Sequence, residues 1–244
     1  FQQRAADLRG ILNGCDYQDW DPAFDPLLPA TYDADNLDGK HTCKRILQQE
    51  TGLPVGNLPI YGMVCRLTEQ KGVHLLIPAL DKFLQHQVQV VIVGSGDPSL
   101  AAQLQSIAQQ HPDKFAFINA YDDRLAHLVE AGADFFLMPS LFEPCGLNQM
   151  YSLAYGTLPL VRAVGGLKDT VVDWDADPAN ATGFCFNDPT ASTLLDAMRR
   201  SLLHYLQEPA RFARVQHHAM NTRFDWADSV ILYEQMYQDA LATV

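Results

Sequence analysis

An α/β fold built on a parallel, doubly wound sheet is predicted for this 244-residue chain by three observations. From Ile60 onward, short apolar, β-branched runs alternate with amphipathic helical stretches, the pattern of a sheet covered on both faces. Several strand-to-helix turns carry glycine, as in Val93–Pro98 and Val164–Leu167. Two further turns carry charge where ligands of such sheets bind: Arg66 and Lys71 in one, Glu143 in the other.

Taken in order, Phe1 to Gly10 reads as the tail of a helix. Ile11 to about Leu37 is rich in Asp and Pro and reads as an extended connector, pinned to a surface by Trp20, Pro22, Pro26 and Pro29. A helix is predicted over Lys40–Glu50, ending near Gly52. Strands are predicted at Ile60–Cys65, Val88–Val93, Phe115–Asn119, Asp134–Met138, Leu158–Ala163 and Gly183–Phe186. Helices at Val73–Leu84, Ser99–Gln110, Asp122–Ala131, Gly146–Tyr155 and Leu167–Val172 follow the first five strands. Three more close the chain, around Ala191–Leu206, Pro209–Thr222 and Trp226–Leu241. In the last, Trp226, Tyr233 and Tyr237 are spaced to form one buried stripe.

Composition narrows the function. Seventeen basic residues against 29 acidic ones give a net charge of −12, which argues against a general nucleic-acid or membrane-surface protein. An anionic ligand must then be held by a few placed cations and helix ends. The five cysteines, at 15, 43, 65, 145 and 185, are dispersed and odd in number, which suits a reducing compartment rather than a disulfide framework. There is no CxxC pair and no HExxH among the eight histidines, so no metal site is expected. No apolar run reaches membrane-spanning length.

The turn Ser140–Gln149 is the most informative. Free N–H groups and a positive helix end there suit a phosphate. Arg66 offers a planar fork and Lys71 a mobile point charge, together enough to neutralise a diphosphate. They also read as solvated surface cations near Glu69. Glu143, stiffened by Pro144, could accept hydrogen bonds from sugar hydroxyls, or could simply pair a nearby cation. Cys145 has no histidine near it in sequence and reads as lining or packing rather than as a nucleophile. Tyr121, after the third strand, could stack on a base or sit at the core's edge. Val93-Gly94-Ser95-Gly96-Asp97-Pro98 fails the GxGxxG fingerprint at Ser99, which disfavours a dehydrogenase-type dinucleotide domain. Val164-Gly165-Gly166-Leu167 is a fourth turn able to present N–H groups to a ligand. His217 and His218 read as a solvated or half-buried pair.

These motifs, in this order, resemble the C-terminal domain of the bacterial glycogen synthase and plant starch synthase family. The matching segments are GILNGCD (Gly10–Asp16), CRLTEQKG (Cys65–Gly72), VGSGDP (Val93–Pro98), MPSLFEPCGLNQ (Met138–Gln149), YGTLPLVRAVGGLKDTV (Tyr155–Val171) and FDW (Phe224–Trp226). The resemblance implies the C-terminal half of a GT-B glycosyltransferase, a Rossmann-like domain that faces a second one across a cleft. It implies transfer of glucose from a nucleotide sugar, ADP-glucose above all, to an α-1,4-glucan with retention and without a cofactor. Arg66 and Lys71 would then hold the diphosphate, and Glu143 would contact the donor glucose. Cys145, Gly146, Leu147 and Asn148 would line the donor, and Tyr121 would stack on the nucleobase.

Two departures stand out. Asn148 occupies a position where relatives commonly have threonine. Tyr151 stands eight positions after Glu143, where many other retaining GT-B enzymes place a second glutamate, so a double-glutamate mechanism is excluded. The resemblance divides the chain into a connector (1–40), a nucleotide-sugar-binding domain (41–223) and a C-terminal helix (224–244) that packs back toward an N-terminal domain. That domain is missing here, so the chain, which starts at Phe1 without methionine, is read as a fragment or part of a longer protein. A cytoplasmic location, or a plastid in a plant, is implied. A different retaining GT-B enzyme, such as a sucrose synthase-like one, and a non-catalytic nucleotide- or glycan-binding scaffold remain open at this point.

Overall fold

The computed structural model describes residues 8–242. Six parallel strands form one sheet: β1 (Ile60–Val64), β2 (Gln89–Val93), β3 (Phe115–Ile118), β4 (Phe135–Met138), β5 (Leu158–Arg162) and β6 (Phe184–Phe186). Their order is β3-β2-β1-β4-β5-β6, so the winding reverses between β1 and β4. Helices alternate with them: α1 (Asp38–Glu50), α2 (Val73–Phe83), α3 (Pro98–Gln110), α4 (Asp123–Gly132), α5 (Asn148–Ala154) and α6 (Gly165–Thr170). α7 (Ala191–Gln207), α8 (Pro209–Met220) and α9 (Trp226–Ala242) follow β6.

Strand side chains alternate between two apolar layers. Val90, Ile92, Phe135 and Leu137 join the layer beneath α2, α3, α7 and α8. Val91, Val93, Phe136 and Met138 join the layer beneath α1 and α4. Because both faces are buried, the strands read as nearly unbroken apolar runs, which is why sequence alone located each one.

The switch point is also where the sheet opens. β1 and β4 pair only at Tyr61↔Phe135 and Gly62↔Phe136, yet each strand runs two residues further. β4 and β5 stay paired over four residues, Phe135↔Leu158 to Met138↔Val161. The parting of β1 from β4 leaves a gap floored by Met63, Val64, Leu137 and Met138 at the carboxyl ends of the strands.

Three expectations need correction. The predicted helix at the N-terminus falls partly on residues 1–7, outside the described residues, and 8–10 are not helical. α5 begins at Asn148 rather than Gly146; Gly146 has φ +73, so the chain at that residue is in a left-handed turn and not yet in the helix. The aromatic stripe of α9 is not buried: Trp226 is 45% and Tyr237 61% exposed, and Tyr233 is half-buried. Periodicity marks an apolar stripe but does not name what covers it. Among the described residues α9 meets the connector, where Ser229 Oγ donates to the Leu12 carbonyl at 2.7 Å and Arg9 pairs with Asp239 at 2.9 Å.

The connector lies across α4 and α5. Trp20 stacks on His127 at 3.6 Å and on Tyr151 at 4.2 Å. Beneath it, the buried Asp25 carboxylate accepts from Tyr155 Oη at 2.6 Å and meets His127 Nδ1 at 2.7 Å. Tyr151 is thus a buried stacking residue, remote in role from any carboxylate chemistry.

Candidate active site

The gap between β1 and β4 widens into a two-lobed cleft. The first lobe, of ≈ 400 Å³, is lined by Asn13, Lys71, Ser140, Glu143 and the stretch Pro144–Asn148. The second, of ≈ 260 Å³, is lined by Arg66, Lys71, Gly94, Ser95, Tyr121 and Asn148. Val64, Cys65, Lys71 and Asn148 belong to both. All eight residues singled out from sequence therefore meet around one cleft, at the switch point.

The loop after β1 brings the cations. A single 3-10 turn, Glu69–Lys71, ends at Gly72 with φ +72. A side chain on Gly72 would stand 1.9 Å from the Pro139 carbonyl, so only glycine lets this loop close on the loop after β4. That approach sets Lys71 Nζ 2.5 Å from Glu143 Oε2, to which Ser140 Oγ also donates at 3.2 Å. Glu143 is buried and Lys71 half-buried. Arg66 is exposed and pairs with no carboxylate among the described residues. Burial pushes the nearby Cys65 thiol up to about 12, with the charges of Lys71 and Arg66 opposing that rise.

The loop after β4 brings the anion-receptive backbone. The N–H groups of Gly146, Leu147 and Asn148 donate to nothing among the described residues, and all three residues face the first lobe. The Asn148 side chain does donate, to the Val64 carbonyl that β4 leaves unpaired, at 3.1 Å. It thereby joins α5 to β1 across the open part of the sheet. Cys145 is half-buried, and no base among the described residues is bonded to it.

The second lobe holds Tyr121 at its rim, 84% exposed. Gly94 gives its wall a close backbone approach, for a side chain there would lie 2.0 Å from the Cys65 carbonyl. Asp97, in the same turn, is occupied as the cap of α3, accepting from Ser99 N at 2.7 Å. The Val164–Leu167 turn does not offer its N–H groups to the cleft as sequence suggested. Gly166 N–H donates to the Glu143 carbonyl at 3.1 Å, so this turn supports the Glu143 loop. His217 and His218 are exposed on α8, away from the cleft lining.

Sequence reasoning gave no role to Asn13, Ser140 or Arg162. Asn13 lines the first lobe from the connector, and only tertiary folding brings it there. No group of three or more His, Cys, Asp or Glu among the described residues is placed to hold a metal ion. Among the described residues no helix is long and apolar enough to cross a membrane.

A doubly wound parallel sheet with paired charged loops at its switch point defines a Rossmann-like domain of the GT-B glycosyltransferase type. The chain belongs to the family described as "Glycosyl transferases group 1", whose pattern matches residues 45–215. It is 86% identical to a glycogen synthase of Aeromonas hydrophila over 99% of its length, covering 50% of that protein. It is 60% identical to a glycogen synthase of Vibrio parahaemolyticus over 99% of its length, again covering 50%. Among solved structures it resembles the catalytic domain of starch synthase IV from Arabidopsis thaliana bound to ADP and acarbose, with TM-score 0.90 and 36% identity, over 96% of this chain and 49% of that one. The chain thus spans about half the length of the relatives it matches.

Proposed function

We propose that this chain is the donor-binding half of a retaining glucosyltransferase that extends an α-1,4-glucan from ADP-glucose. The carrying observation is the convergence of Lys71, Glu143 and the free N–H groups of Gly146–Asn148 at the parting of β1 and β4. The names of the relatives, and the ADP and acarbose of the starch synthase structure, supply the substrate class.

In this reading Arg66 and Lys71 neutralise the diphosphate, and the backbone of Gly146–Asn148 receives its distal phosphate. Glu143 accepts from hydroxyls of the donor glucose, and Tyr121 stacks on the base. The acceptor hydroxyl then attacks on the face from which the diphosphate departs, which retains configuration. Stabilisation of charge on the leaving group carries most of the catalysis. Among the described residues no side chain is set up as a nucleophile: Cys145 has no base bonded to it, and Tyr151 stands where a second carboxylate would. Residues 1–40 serve as connector, 41–223 as the nucleotide-sugar domain, and α9 turns its aromatic stripe to the other half of a cytoplasmic enzyme.

Calorimetry with ADP and UDP, paired with a glucan-elongation assay, tests this. The isolated chain is expected to bind ADP weakly and transfer nothing, since half the cleft that excludes water and seats the acceptor is absent. Turnover by the isolated chain near ~10 per second, a common enzymatic rate, would contradict it.

A further inference from the structure

The loop that carries Glu143 is held by its carbonyls. Those of Ser140, Leu141, Phe142 and Glu143 are each taken by a donor from another segment. Arg162 Nη1 donates to Ser140 at 3.2 Å and to Leu141 at 2.5 Å. Gln70 Nε2 donates to Phe142 at 3.2 Å, and Gly166 N–H to Glu143 at 3.1 Å. The Phe142 side chain is 57% exposed, so apolar burial does not set the loop at that point. Of the donors, Arg162 takes two carbonyls and is the only charged one, and charged donors make the stronger hydrogen bonds. Its Nε also donates to the Asn187 carbonyl at 3.0 Å, which anchors the guanidinium at the end of β5.

Arg162 pairs with no carboxylate among the described residues and lines neither lobe of the cleft. A surface arginine would point to solvent or to an acid. This one is half-buried, with its planar fork spent on backbone just upstream of Glu143. We propose that Arg162 is a positioning residue: it fixes the Ser140–Glu143 loop, and through it the Glu143 carboxylate and the N–H groups beyond it. The proposal rests on the reading of this cleft as the donor site. Lys71 and Arg66 belong to the β1 loop, which Arg162 does not touch, so their hold on the phosphates should largely survive its loss while alignment of the sugar and of the N–H groups should not.

The test uses a full-length protein that carries this half, with Arg162→Met and Arg162→Lys. For the Met variant kcat should fall on the order of 100-fold, the size of effect that a small misplacement of reacting groups produces. Its Kd for ADP should rise far less than kcat falls, since Arg66 and Lys71 stay in place and only the N–H groups of Gly146–Asn148 shift. Lysine restores the charge but not the fork, so Arg162→Lys should recover only part of kcat. Guanidinium ion added to Arg162→Ala should recover some activity. A readout independent of turnover is the rate at which a thiol reagent modifies Cys145, followed by peptide mass; it should rise several-fold in the Met variant as the loop loosens. Unchanged kcat and unchanged Cys145 reactivity would overturn the proposal. So would a parallel loss of kcat, ADP affinity and melting temperature without guanidinium rescue, which would mark a general fold defect. If the unmutated protein transfers no glucose, the functional reading fails, and Cys145 reactivity still decides the role of Arg162.

Discussion

Lys71 Nζ and Glu143 Oε2 lie 2.5 Å apart although the residues are 72 positions apart in the chain. They sit on the two loops that diverge where β1 and β4 part company. A diphosphate entering this cleft would compete with Glu143 for the ammonium. Donor binding would then exchange one anionic partner of Lys71 for another and release the Glu143 carboxylate toward the sugar.

Replacement of either cation should therefore act mainly on the chemical step. In a full-length protein, Arg66→Ala and Lys71→Ala should each cost about 3 kcal/mol in the transition state, by analogy with removal of an oxyanion donor. The loss should appear in kcat more than in KM, because in the proposed reaction charge develops at these cations as the diphosphate leaves. The two variants should differ in stability. Arg66 is exposed and pairs with no carboxylate among the described residues, and changes at such sites move stability by no more than about 0.5 kcal/mol. Lys71→Ala strips the buried Glu143 of its cation and should lower the melting temperature measurably. Steady-state kinetics with a KM effect alone would contradict the first expectation, and equal melting temperatures the second.

Cys145→Ser should keep substantial activity, because no base among the described residues is bonded to the thiol. A bulky thiol reagent should nonetheless inhibit, since Cys145 lines the first lobe beside Gly146 and Leu147. Saturating ADP should protect against it. A folded Cys145→Ser protein without activity would assign the thiol a chemical role.

What was legible in the sequence follows from the range of each interaction. The six strands were legible because both faces of the sheet are buried and the runs are apolar throughout. The Arg66–Lys71 and Glu143–Asn148 turns were legible because strand-to-helix turns at carboxyl ends are where such sheets bind ligands. The Lys71–Glu143 contact was not legible: it needs β1 beside β4, a pairing that skips two strands in the chain. The same holds for the four captured carbonyls of the Glu143 loop and for the seat of Asn148 on Val64. The start of α5 was misplaced because the sequence pattern does not reveal that Gly146 takes positive φ. The α9 stripe was misjudged because amphipathicity is local and its covering is not.

A buried carboxylate away from the cleft gives a pH prediction. Glu130 is buried beneath α5, and burial holds its carboxyl well above the usual range, against the Ser152 hydroxyl bonded to it at 2.8 Å and the charge of Lys40. A raised folded-state pKa means that the folded protein keeps a proton the unfolded chain releases. The resulting stability is full below the unfolded value, near 4.5, and is lost as pH rises toward the folded one. Within that window each pH unit costs about 1.4 kcal/mol. Glu130→Gln cannot ionise, so its melting temperature should fall less between pH 5 and pH 8 than that of the unmutated chain. Parallel pH profiles would show that Glu130 is not the group responsible.

Tyr121 offers the sharpest separation of roles within the cleft. It stands at the rim of the second lobe, 84% exposed, with Arg66 and Lys71 on the same lining. A ring so exposed contributes little to the core, so its removal should leave the melting temperature unchanged. If it stacks on the base, Tyr121→Ala should weaken ADP binding by about 1–3 kcal/mol, the range for stacking of a base on an aromatic side chain. Pyrophosphate has no base, and its affinity for Arg66, Lys71 and the amides of Gly146–Asn148 should be unaltered. Tyr121→Phe should keep most of the ADP affinity, since the π-face remains and the hydroxyl bonds to nothing among the described residues. Calorimetry of both ligands on the same variants makes the comparison internal. Equal losses for ADP and pyrophosphate, at constant melting temperature, would show that Tyr121 acts on the phosphates and leaves the base unread.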